Sequence, residues 1–235
     1  MSFGAMVLVA AVVFLSARST GMRSSKSSSP LTGKGAEAVA TPADIPKIVD
    51  AGKFGWTDIA APGMKGSFGA FDVIGNVPWA IGIAKNWSSD AEIAGIYLKG
   101  VRPDGVLDVS GHDDSDVDYR FGSKNLAAAQ DKLREVSEKR LLLEFRLWIK
   151  QGKVQFMADT SGSSSAELAK RPTPSFGCPL TTVLENAKKG GLAPRPSYSL
   201  IAIYNDSKKL MYWHSSGNAT SSNKMTSTDS ACKPW

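Results

Sequence analysis

The sequence predicts an α+β fold, an antiparallel sheet built from hairpins with helices packed on one face. Three observations carry that reading. First, RLLLEFRLWIK at 140–150 alternates with period two: Leu141, Leu143, Phe145, Leu147 and Ile149 share one face, and Glu144 and Arg146 the other. Second, the strand-like stretches come as neighbours joined by short polar turns, which suits antiparallel pairing and not the long crossovers of a parallel sheet. Third, stretches with the 3.6-residue period of helices fall between them.

In chain order, Asp44 is placed to cap a short helix through Ile45, Ile48 and Val49 that ends at Gly52. Residues 52–76 are a glycine-studded loop. Its GMKGSFG segment lacks the phosphate-loop spacing G-x-x-x-x-G-K-[ST], so the expected role is to pack Phe54, Trp56, Phe68 and Phe71 onto the body. Asn76 is a good N-cap and Pro78 suits a first turn, with Val77, Ile81, Ala84 and Trp87 on one helical face. Strands are expected at 91–101 and 106–110, joined by Arg102-Pro103-Asp104-Gly105, and at 117–121 with Val117, Tyr119 and Phe121 inward and Asp118 and Arg120 outward. An exposed helix over 124–139 leads into the 140–150 strand, and Lys150-Gln151-Gly152-Lys153 turns it back into 154–158. Residues 159–177 read as a Ser/Pro/Gly loop and 179–189 as a helix closed by Gly190-Gly191. The strand at 199–204 pairs with 210–214, and the polar tail from Ser215 has room for one short terminal strand.

Composition limits the chemistry. The chain has 235 residues, 42% of them hydrophobic, enough for a real core. Two His and two Cys are too few for an iron–sulfur cluster held by four thiolates, and C-x-x-C-H is absent. Of the formal net charge of +6, half comes from Arg18, Arg23 and Lys26. The remaining Lys and Arg are scattered and form no stripe of the kind nucleic acid demands, so no nucleic-acid partner is expected.

That N-terminal charge accompanies an apolar run. Residues 3–17 carry no charge and, as a helix, span about 22 Å, short of a hydrocarbon core of roughly 30 Å unless flanking residues extend it. Residues 1–20 are therefore expected to be a membrane anchor or a cleaved signal segment, 21–40 a flexible Ser/Gly/Lys-rich tether, and 41–235 one α+β domain. The expected location is membrane-anchored, on the periplasmic or extracytoplasmic side. The positive charges that follow the run favour the opposite orientation, a cytosol-facing domain. In an oxidising compartment Cys178 and Cys232 are expected to form one disulfide, stabilising by roughly 4 kcal/mol on the chain-entropy model; the alternative is two unrelated thiols.

Candidate site residues are few. Asp114, Asp116 and Asp118 imitate positions 1, 3 and 5 of a calcium loop, but Tyr119 stands where the loop needs glycine and Asn125 where it needs glutamate. That excludes an EF-hand and leaves a looser surface Ca²⁺ site beside the alternative of a solvated acidic turn; no other cofactor is expected. Tyr204, Tyr212 and Trp213 are the candidate binding residues, placed to line a groove or to pack within the sheet. His112 and His214 are the only imidazoles, and neither a G-x-S-x-G elbow nor H-E-x-x-H is present.

The run from Trp87 to Ser123 contains W-x-x-D-A-x-I-x-x-I, V-R-P-D-G-V-L-D-V-S and Y-R-F-G-S; Cys178, the ENAKKGG helix, an aromatic hairpin and a Cys near the C-terminus follow. In this order the motifs resemble a group of N-terminally anchored, exported bacterial proteins of myxobacterial type. The resemblance covers more than half of the chain and implies no catalytic residues. The expected function is a non-enzymatic, membrane-tethered periplasmic or surface domain mediating protein or peptide interaction. The alternatives are a structural subunit of a membrane complex, or a Ca-dependent hydrolase centred on the loop from His112 to Asp118.

Overall fold

Alternation of apolar and polar residues decides the architecture. A computed structural model describes residues 39–52, 55–111, 114–134, 140–171, 176–205, 210–216, 226–229 and 232–234, all within one compact unit, Ala38–Trp235. The expected anchor and all but the last two residues of the expected tether lie outside the described residues. Among the described residues no helix is long and apolar enough to cross a membrane. The chain enters the fold at Ala40, whose carbonyl accepts the Ala60 N–H (2.8 Å).

Among the described residues ten strands and five α-helices follow in chain order: α1 (Ile45–Asp50), β1 (Thr57–Asp58), β2 (Gly66–Ser67), β3 (Ala70–Phe71), α2 (Val77–Ala84), β4 (Glu92–Val101), β5 (Asp116–Gly122), α3 (Lys124–Arg134), β6 (Glu144–Lys150), β7 (Lys153–Asp159), α4 (Ser165–Lys170), α5 (Leu180–Lys189), β8 (Tyr198–Asn205), β9 (Leu210–Ser216) and β10 (Thr226–Asp229). Eight strands make one sheet in the order β1-β7-β6-β5-β4-β8-β9-β10, and every neighbouring pair is antiparallel. The short β2–β3 pair stands apart. The fold is α+β, as the alternation predicts.

The β6–β7 hairpin shows why. Phe145, Leu147 and Ile149 are buried and pair with Ala158, Phe156 and Val154, also buried, while the residues between them stay half-exposed. Gln151 (φ 53°) and Gly152 (φ 68°) both take the left-handed conformation that a two-residue type I′ turn needs. In β5, Val117, Tyr119 and Phe121 point the same way, and the Tyr119 hydroxyl donates to the Val73 carbonyl (2.7 Å). Burial pushes the Tyr119 phenol well above its ordinary pKa and keeps it a donor.

Helices cover this apolar face. Ala80, Ile83 and Ala84 of α2, and Leu180, Val183, Leu184 and Ala187 of α5, join the same core as Phe121, Phe145 and Leu200. The spacing in α5 is the i, i+3, i+4, i+7 stripe of a half-buried helix, with Lys188 and Lys189 in its last turn, where the helix dipole favours cations. Cys178 precedes α5 and is bonded to Cys232, Cα–Cα 5.2 Å, so the two thiols are partners. Asn186 of α5 donates to the Cys232 carbonyl (3.0 Å), a second tie between the helix and the tail.

Four expectations change. Residues 106–110 do not pair with β4, because both edges of β4 are taken by longer partners, β5 and β8. The Arg102–Val106 turn forms, but the chain then runs to the β2–β3 region: Phe71 N–H donates to Leu107 O (2.9 Å) and Val109 N–H to Phe68 O (2.7 Å), which buries Leu107 and Val109. Asn76 is not an N-cap through its side chain. It is fully buried and staples the glycine-rich loop, its Oδ1 accepting from Lys65 N–H (2.7 Å) and its Nδ2 donating to Lys65 O and Asp72 O (both 2.8 Å). The strand of the 140–150 run starts at Glu144, after Leu141–Leu143. Within the expected 159–177 loop stands α4, started by a capping box in which Glu167 N–H donates to Ser164 Oγ (3.3 Å) and Ser164 N–H to Glu167 Oε2 (2.9 Å).

Breaking the Cys178–Cys232 link frees a 54-residue loop in the unfolded chain. Replacing both cysteines by alanine is expected to lower unfolding stability by roughly 4 kcal/mol, read by denaturant titration with the oxidised parent as reference. An unchanged midpoint would show that the link contributes nothing to the folded domain.

Candidate functional site

The second face of the sheet inherits whatever the core does not take. On β5 these are Asp116, Asp118 and Arg120; on β6 Glu144, Arg146, Trp148 and Lys150; on β4 Gly95, Tyr97 and Lys99; and on β7 Lys153, Gln155 and Met157, each set alternating with core residues. The register places Arg120 opposite Arg146 and Asp118 between Tyr97 and Trp148.

Two guanidiniums facing each other across strands repel, and Asp118 resolves the conflict. Its carboxylate accepts from Arg120 Nε (2.9 Å), Arg146 Nη2 (2.5 Å) and Arg146 Nε (3.2 Å). Asp118 is 4% exposed, whereas the Arg120 and Arg146 side chains keep 29% and 25%. Both guanidiniums extend the network onto aromatic rings. Arg120 lies 3.8 Å from the centroid of Tyr97, and Arg146 lies 5.1 Å from Trp56. Trp56 packs on Trp148 at 4.8 Å, and the Lys150 ammonium lies 5.1 Å from the Trp148 ring. The result is a continuous ladder of Tyr97, Arg120, Asp118, Arg146, Trp148 and Lys150 across β4, β5 and β6, joined by Trp56, the residue just before β1. Toward the β1 edge Asp58 accepts from Gln155 (2.6 Å) and Lys153 (3.0 Å).

Two carboxyls on this face sit in drier surroundings. Burial raises the Glu144 pKa against the pull of Arg120 and Arg146, and burial raises Asp116 against a hydrogen bond from Trp148. On β9, burial lowers the pKa of His214, whose ring stands edge-on to Tyr212 at 5.8 Å.

At one end the face is flanked by α4. Leu168 is buried outside the main core, and a side chain at Gly122 would meet its Cδ2 at 3.1 Å. Beside this contact lies a cavity of about 280 Å³ reached by Tyr97, Arg120, Glu144, Arg171, Ile203 and Tyr204.

The candidate residues distribute differently from expectation. Asp114 forms an exposed ion pair with Lys99 (2.9 Å), Asp116 bonds Trp148, and Asp118 is committed to two arginines. The three do not converge, and among the described residues no group of three His, Cys, Asp or Glu side chains is arranged to hold a metal ion. His112, the centre of the hydrolase alternative, lies outside the described residues. Trp213 is 2% exposed and packs on Phe176 (6.4 Å), so it belongs to the core and not to a groove. Tyr204 shares the core-facing side of the β8–β9 pair with Trp213 and also borders the cavity beside α4, while Tyr212 alternates to the other face. Trp56, Trp148 and Arg146 carry the open face and were not among the candidates. The outward parity of Trp148 with Glu144 and Arg146 was the available signal.

Two outcomes follow from this geometry. Asp118→Asn leaves adjacent guanidiniums uncompensated and is expected to destabilise by about 2–3 kcal/mol, less than for a fully buried pair because both arginines reach solvent. A denaturation midpoint equal to the parent's would overturn the role given to Asp118. A carboxyl whose pKa is raised by folding holds its proton more tightly folded than unfolded. Its contribution to stability is therefore full at acidic pH and lost as the pH rises above about 4–5. Stability of the parent relative to Glu144→Gln is expected to fall from about pH 4 toward neutrality, whereas a difference flat with pH would refute the burial of that carboxyl.

No protein-family model matches this chain, and no curated protein or solved structure is significantly similar to it.

Proposed function

We propose that the chain is a non-enzymatic binding domain, held at the extracytoplasmic side of a membrane by its N-terminal segment, that takes a protein or peptide partner on the open sheet face. The observation that supports it is the cross-strand ladder from Tyr97 through Asp118 to Trp148. Aromatic rings and arginines held by neighbours lose little side-chain entropy when a partner docks, which is how interface anchors contribute most of a binding energy.

The charge on the face favours a peptide over a polyanion. Asp118 offsets one of the two charges of Arg120 and Arg146, Lys153 is paired with Asp58 and Lys99 with Asp114, so the face alternates charges of both signs and lacks the basic stripe that holds phosphates. Flat ring surfaces beside paired polar groups suit the alternating apolar and amide surface of an extended segment.

The test is a synthetic library of linear peptides presented to the full chain. Enriched peptides are expected to bind Trp56→Ala at least tenfold more weakly, while Lys85→Ala, beyond the helix-covered face, binds them as the parent does. Failure to enrich any peptide, or enriched peptides indifferent to both Trp56→Ala and Arg146→Gln in variants that retain native circular dichroism, would overturn the proposal.

A further inference from the structure

The cavity beside α4 differs from the rest of the face in its electrostatics. Arg171 follows the last residue of α4 in an extended conformation (φ −78°, ψ 128°). Among the described residues its guanidinium makes one hydrogen bond, to the neutral Ser163 Oγ (2.8 Å), and no ion pair. Arg120, lining the same cavity, spends Nε on Asp118 and sits over the Tyr97 ring. Against these two guanidiniums the cavity holds one carboxyl, Glu144, which burial shifts toward its neutral form. A guanidinium drawn partly out of water with only a hydroxyl for company leaves most of its five donors unmatched.

A closely packed glycine also borders the cavity. Gly95 sits at a register irregularity of β4, and a side chain there would meet the Ala202 carbonyl and the Tyr97 ring edge, both at 3.2 Å. Ile203, paired with Gly95 across β4 and β8, supplies an apolar neighbour to the cavity.

We propose that this cavity captures the free C-terminal carboxylate of a peptide, with Arg171 binding the carboxylate through paired N–H donors and Glu144 accepting the N–H of the same terminal residue. A chain end carries both groups within one residue, which matches a guanidinium and a carboxyl lining one small cavity; an internal acidic side chain separates them. The planar fork of arginine is suited to a carboxylate in a way an ammonium is not. The inference rests on the reading of the sheet face as a binding surface and assigns the ligand group at its α4 end.

The experiment titrates the full, isotopically labelled chain with N-acetyl-Gly-Ala-Leu as the free acid and as the C-terminal amide, following backbone chemical shifts. The acid is expected to shift Gly95 and Tyr97 and to bind at least tenfold more tightly than the amide. Arg171→Gln is expected to weaken the acid at least tenfold, with partial recovery in Arg171→Lys, while Lys85→Ala leaves tripeptide affinity unchanged. Equal binding of acid and amide, no binding of the acid, or an amidated peptide with an internal glutamate competing as well as the acid would each overturn the inference. If Arg171→Gln binds the acid as the parent does while library peptides depend on Trp56, this inference fails and the face reading stands. If the acid depends on Arg171 while library peptides ignore Trp56, the face reading fails and the cavity stands.

Discussion

The open face depends on one carboxylate placed between two arginines. β5 and β6 put Arg120 directly opposite Arg146, a pairing that like charges oppose. Asp118, two residues along β5, turns the repulsion into a bridge, and because it is nearly shut off from water the bridge is little screened. Each guanidinium is then fixed in a plane that an aromatic ring can meet, Tyr97 on one side and Trp56 on the other. Without Asp118 the arginines would swing apart into solvent and the rings would lose their partners.

The opposite face supplies the rigidity this arrangement needs. Tyr119, next to Asp118 in the chain, is buried and tied to the loop carbonyl of Val73; Phe121 and Phe145 pack at 6.0 Å, and Phe145 stacks on Phe156 at 5.6 Å. A residue on the open face cannot shift along its strand without dragging a core residue with it, since a one-residue slip would send the apolar set to solvent. Core packing and site geometry are thus a single constraint, expressed on alternate residues. The disulfide closes the other end of the sheet by joining the start of α5 to the tail beyond β10.

How much of this was legible in the sequence follows the same division. The β6–β7 hairpin could be read because period and turn chemistry agree, and Asp118 and Arg120 could be assigned outward from the parity of Val117, Tyr119 and Phe121. Pairing partners could not. VLDVS has the composition of a strand, but whether it pairs with β4 depends on β8, whose residues are about a hundred positions away in the chain. The six-residue α4 hides in a serine-rich stretch and betrays itself only through Ser164 and Glu167. The three aspartates look like cation ligands when read as a string; the strand separates their directions, and Arg146, far along the chain, decides what Asp118 does. Tyr212 and Trp213 are sequence neighbours and for that reason face opposite sides of the sheet.

Asp118 and Arg146 act as one unit that organises the face. A double-mutant cycle measures this directly, with Asp118→Asn, Arg146→Gln and the double variant compared by denaturant unfolding. The expected coupling is about 1–3 kcal/mol, with the double variant losing less than the two single losses together. Losses that add to within about 0.5 kcal/mol would contradict it.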